Sequence, residues 1–128
     1  MKTVIIEWMH LDKDGSTCER CNNTGKEIEE VVLRLNAECE PSDVRIELLE
    51  TRLSESEIDK SNLILVNGFP LESLLPDAQA SSSNCSSCGE LTGKEESCRT
   101  IVQSGSIYET IPQQMIRNAV CQVAKCCQ

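Results

Sequence analysis

Nine cysteines in 128 residues constrain this chain more than any other feature. A chain so rich in thiols is a disulfide-stapled scaffold, a carrier of ions on thiolates, or a thiol redox protein. The first residues argue against a secreted scaffold. Met1-Lys2-Thr3-Val4-Ile5-Ile6-Glu7 has no signal-peptide core, because Glu7 interrupts it, and no run is apolar enough to span a membrane. The expected location is therefore cytoplasmic, where thiols are kept reduced. The odd count also leaves at least one cysteine without an intramolecular partner. Metal ligation and thiol exchange remain.

The formal net charge is −9, and most of the acidic excess falls in residues 1–60. Such a chain repels phosphate backbones and anionic lipid surfaces, so neither nucleic acid nor membrane is an expected partner. Trp8, Phe69 and Tyr108 are the whole aromatic set, too few for a platform that stacks single-stranded bases. The core has to rest on Ile, Val, Leu and Met. No glycine-rich phosphate loop or nucleophile elbow is present, and His10 is the single histidine.

Hydrophobic periodicity orders the rest. Val4 to Leu11 reads as a strand buried on both faces. Thr24 and Glu27 have capping-box spacing, and Ile28, Val31, Val32, Leu35 and Cys39 recur at helical intervals. These predict a helix from about Gly25 to Glu38, with Cys39 a small core residue. Asp43 to Leu49 alternates as a half-buried strand, Ser54 with Glu57 opens a short helix, and Asn62 to Val66 is an apolar strand before an Asn67-Gly68 turn. Residues 76–99 are rich in Ser, Gly and Cys, with Ala80 to Asn84 resembling a linker. Thr100 to Val102 and Ile107-Tyr108 flank a hairpin turn. A last helix runs from about Pro112 to Ala124, with Cys121 near its apolar face and Cys126-Cys127 in a frayed tail. The expected architecture is one α/β domain over residues 1–128, a mixed sheet with flanking helices and a cysteine-rich insertion at 76–99.

The cysteines fall into groups with different chemistry. Cys18-Glu19-Arg20-Cys21 lies between a strand and a helix. Two thiols at this spacing can close a small disulfide, and a helix N-terminus favours the thiolate of one while the other resolves a mixed disulfide. The same pair is also half of a four-thiolate zinc site. Cys85, Cys88 and Cys98 place three thiols within 14 residues, with Gly89 and Gly93 to let the chain turn around an ion. Zinc, an iron–sulfur cluster, copper(I) or a metalloid all fit such donors, as does a reversible disulfide.

Several segments together resemble a small thioredoxin-like family of bacteria and archaea. They are Ile6-Glu7-Trp8, Thr17-Cys18-Glu19-Arg20-Cys21 with Thr24-Gly25, Val66-Asn67-Gly68 before Pro70-Leu71, Cys85-Ser86-Ser87-Cys88-Gly89, Cys98-Arg99-Thr100, and Tyr108 before Ile111-Pro112. The resemblance implies a thioredoxin-type scaffold. The chain departs from thioredoxin-type reductases at Ser61-Asn62, where those place a proline before the central strand, and at Thr17, where they place an aromatic residue. The leading expectation is thiol–disulfide exchange with a protein or small-molecule disulfide, Cys18 attacking and Cys21 resolving. The alternative is a non-enzymatic metal or metalloid binding module built on cysteine thiolates, with Cys85, Cys88 and Cys98 as ligands.

Overall fold

Two parallel neighbouring strands require a crossover, and the first forty residues supply it. The computed structural model describes residues 2–12, 19–60, 62–84 and 97–127. Strand β1 (Lys2–Leu11) leads to helix α1 (Glu19–Cys39), and β2 (Val44–Leu53) returns beside β1 in parallel, from Lys2↔Val44 to Leu11↔Leu53. Strand β3 (Leu63–Val66) joins the other side of β1 antiparallel, and the two-residue β4 (Phe69–Pro70) folds back on β3. The turn between them holds Asn67 and Gly68 at φ 49° and 84°, the left-handed pair that an Asn-Gly hairpin turn adopts. The order of this sheet is β2-β1-β3-β4. A second, antiparallel sheet follows, built from β5 (Ala78–Asn84), β6 (Ser97–Gln103) and β7 (Ser106–Tyr108). Helix α2 (Gln113–Ala124) closes the chain.

The fold is thus α/β with mixed sheets and flanking helices, but the strands form two sheets where one was expected. The stretch read as a linker, Ala80 to Asn84, is part of β5 and pairs with β6 from Ala78↔Gln103 to Asn84↔Ser97. Small polar side chains hide such a strand, because its ladder needs only backbone groups. The short helix expected after Ser54 is a 3-10 turn over Glu55–Lys60.

One face of the first sheet is the floor of the core. Val4, Ile6, Trp8 and His10 of β1, Val44 and Ile46 of β2, and Ile64 and Val66 of β3 are all buried on it. Against them α1 lays Ile28, Val31, Leu35 and Cys39, and α2 lays Met115, Ile116, Ala119, Val120 and Ala124. The opposite face of β1 is not buried as expected: Ile5 is 41% exposed, and Leu49, opposite Glu7 on β2, is 51% exposed. Edge strand β2 is blunted by Asn36 of α1, whose side chain donates to Ile46 O at 3.0 Å and accepts from Ile46 N–H at 2.8 Å. Among the described residues, no helix is long and apolar enough to cross a membrane.

Helix α1 begins at Glu19, six residues before its expected start. Thr24 is no cap. It lies buried inside the helix, and its Oγ1 accepts the backbone N–H of Ile111 at 3.2 Å, tying α1 to the entry of α2. Gly25 does not mark a helix end either. It faces the indole of Trp8 so closely that a Cβ there would lie 2.5 Å from the ring.

Candidate metal centre

The most concentrated chemistry among the described residues lies where both helices end. Helical periodicity puts Cys39 on the inner face of α1 at its last position, where it is fully buried. The chain leaves through a 3-10 turn over Glu40–Ser42, with Pro41 in its first turn. Helix α2 carries Cys121 on its half-buried flank and stops at Ala124. Lys125 then takes a left-handed conformation at φ 56°, and its N–H donates to Cys121 O at 3.0 Å. This C-terminal turn reverses the chain and brings Cys126 and Cys127 back over the ends of both helices. Lys2 adds a second clasp: its Nζ donates to Val123 O at 2.6 Å, tying the start of β1 to the end of α2.

The vicinal cysteines divide between two partners. Cys126 is buried and bonded to Cys39, with Cα atoms 5.2 Å apart. Cys127 is half-buried and bonded to Cys121, with Cα atoms 5.7 Å apart. The sulfurs of Cys39, Cys126 and Cys127 all lie within 4.8 Å of one another. The expected frayed tail is therefore a packed one. Adjacent cysteines rarely bond each other without strain, and here each takes a different partner.

Charged groups frame the cluster. Arg117, one turn before Cys121 on α2, makes a two-pronged pair with Glu38, the neighbour of Cys39, at 2.6 and 2.7 Å. Hydrogen bonding to Glu38 holds the Arg117 guanidinium above its ordinary range; burial opposes it, and the Glu38 charge adds a lesser push upward. That pair locks the two helices together beside the sulfurs.

The cysteines singled out from spacing are not among the three sulfurs of this cluster. Cys18, Cys85 and Cys88 fall outside the described residues. Cys21 has a backbone position in the first turn of α1, and Cys98 pairs with Ser83 in the ladder of the second sheet. His10 sits in the core, stacked on Trp8 with ring centroids 4.1 Å apart. Its Nε2 lies 2.6 Å from Glu50 Oε1 and its Nδ1 3.2 Å from Leu11 O. The partnership of Cys39 with Cys126 went unread because connectivity does not follow from spacing. The one usable signal was the periodicity that set Cys39 on the buried face.

Comparison with known proteins gives a family without an activity. An "Uncharacterized protein" of Archaeoglobus fulgidus is 27% identical over 117 residues, covering 88% of this chain and 82% of that protein. No solved structure matches the chain. The family described as "Domain of unknown function (DUF2703)" matches residues 4–120, nearly the whole chain, and the chain belongs to it.

Proposed function

We propose that the protein binds a soft metal ion or metalloid on cysteine thiolates, with Cys39, Cys126 and Cys127 as donors. The observation that carries this reading is the approach of three sulfurs to within 4.8 Å of one another at the junction of two helices. Thiolates select thiophilic ions such as zinc, copper(I) or an arsenic(III) species over hard cations. Donors drawn from the ends of α1 and α2 make a bound ion a tie between them, so ion binding adds to folding stability. Cys85, Cys88 and Cys98 form a second proposed donor set, suited to zinc or an iron–sulfur cluster, on the spacing alone. The test is elemental analysis of protein purified reduced, without oxygen, chelator or added metal, before and after zinc loading. Loss of about one zinc per chain on replacing Cys39 and Cys126 by alanine, with any ion on the second donor set retained through desalting, is the expected result. Zinc retention unaffected by that double replacement would remove this cluster from the function.

A second reading, thioredoxin-like thiol–disulfide exchange, is favoured by where α1 begins. With Glu19 as its first residue, Cys21 takes a first-turn position, where a helix field favours a thiolate. The sheet order β2-β1-β3-β4, with only β1 and β2 parallel, is compatible with the thioredoxin-type scaffold that the resemblance implies. On this reading Cys21→Ser traps a mixed disulfide between Cys18 and a disulfide substrate, while Cys18→Ser traps none. Equal trapping by both variants, or by neither, counts against exchange at this pair.

A further inference from the structure

We infer that Cys121 completes the cluster, so that the sulfurs of Cys39, Cys121, Cys126 and Cys127 form one tetrathiolate site for a divalent thiophilic cation, in direct competition with the two disulfides. The inference rests on the metal-binding reading above and deepens it by naming the fourth donor, the ion class and the condition that empties the site.

Cys121 is not among the three mutually close sulfurs, and its bond to Cys127 is what brings it to the edge of the cluster. Cys121 is bonded to Cys127, whose sulfur lies within 4.8 Å of those of Cys39 and Cys126. Around zinc, with Zn–S bonds of about 2.3 Å, tetrahedral donors stand about 3.8 Å apart. Bonded sulfurs are about 2 Å apart, so each reduced pair has to open by a little under 2 Å to reach that spacing. Cys39 and Cys121 are fixed on helices. Cys126 and Cys127 follow the left-handed Lys125 in a segment without helical hydrogen bonding, and this segment can supply the adjustment. Four thiolates around a divalent cation carry two net negative charges. Lys2 and Lys125 stand at the end of α2, Lys2 on the carbonyl of Val123 and Lys125 as the residue after the helix.

The chemistry makes the two states exclusive. A sulfur in a disulfide has no thiolate charge to offer an ion. Converting the loaded site to two disulfides removes four electrons from four thiolates and frees the cation. With hydrogen peroxide as oxidant, two equivalents accept those electrons with four protons and leave four waters. Both S–S bonds form as both O–O bonds break. Cys121 and Cys127 are half-buried while Cys39 and Cys126 are buried, so the outer pair meets the oxidant first.

The test uses the full chain with Cys18, Cys21, Cys85, Cys88 and Cys98 replaced by serine, so that only these four thiols remain. The reduced protein is loaded with cadmium-113 or zinc. A cadmium resonance in the four-sulfur range is expected, together with loss of one zinc per chain for two equivalents of hydrogen peroxide. Losing a hydrogen-bond partner of a metal ligand weakens binding by about 10- to 100-fold, so loss of the ligand itself in Cys121→Ser should exceed that range. A three-sulfur cadmium resonance, with Cys121→Ser binding zinc as tightly as the parent, overturns the fourth donor while leaving a three-thiolate site standing. No binding of either ion by folded, reduced protein overturns both readings, and circular dichroism of the same samples establishes that they are folded.

Discussion

Oxidised, metal-free protein carrying Cys39→Ala is expected to lose about 4 kcal/mol of stability, a fall in Tm of roughly 15 °C for a domain of this size. The Cys39–Cys126 bond joins residues 87 apart, closing a loop that takes in more than half of the chain. In the chain-entropy account a loop of that length is worth about 4.5 kcal/mol against the unfolded state, whereas the Cys121–Cys127 bond, six residues apart, is worth about 2 kcal/mol. Alanine is chosen because the site is fully buried and a serine hydroxyl there would add its own desolvation penalty. Denaturant unfolding of wild type and variant, each with and without a thiol reductant, separates crosslink from packing. The gap should shrink to about 1 kcal/mol under reduction, the residue of a lost buried sulfur. Identical midpoints in oxidising buffer would mean that the bond does not form in solution.

Gly25→Ala is expected to destabilise the protein by about 2 kcal/mol, against the usual gain of about 1 kcal/mol when alanine replaces glycine inside a helix. The added methyl would stand 2.5 Å from Trp8 Cη2, 2.8 Å from Cζ3 and 3.0 Å from Cζ2. The indole has little room to retreat, being 7% exposed and stacked on the buried His10 ring. Either α1 lifts from the sheet or Trp8 leaves its rotamer, and both loosen the helix that carries Cys21 and Cys39. Trp8 is the chain's single tryptophan, so its fluorescence reports the contact directly. Trp8→Leu should itself be destabilising, and combined with Gly25→Ala should cost less than the sum of the two. Additive effects, or a stabilising Gly25→Ala, would break the proposed contact.

Much of the scaffold was legible because its elements are amphipathic. Alternation in Val44, Ile46 and Leu48 located β2, the run from Asn62 to Val66 located β3, and the spacing of Met115, Ile116, Ala119 and Val120 located α2. The start of α1 was misplaced because Asn22, Asn23 and Gly25 are poor helix formers and Thr24 with Glu27 imitates a cap. Tertiary demands override those preferences: Gly25 is needed beneath Trp8, and Thr24 supplies the acceptor for Ile111. β5 escaped detection because no apolar side marks it. The sulfur cluster was least legible, since Cys39 and Cys126 meet through the packing of α1 on α2 and the reversal at Lys125, neither of which spacing encodes.

The distance along the chain between Cys39 and Cys126 also sets an order of events during biosynthesis. At about 5–20 residues per second, the ribosome delivers Cys126 roughly 4–17 s after Cys39. All the cysteines at 85, 88 and 98 are translated within that interval, and each is a wrong partner for a waiting thiol. The nascent chain has one protection to hand. By the time Leu53 is made, β1, α1 and β2 are complete, and α1 can settle on the young sheet and shelter Cys39 from premature chemistry. Faithful pairing at the end of synthesis therefore depends on how well this first βαβ unit holds together before α2 exists.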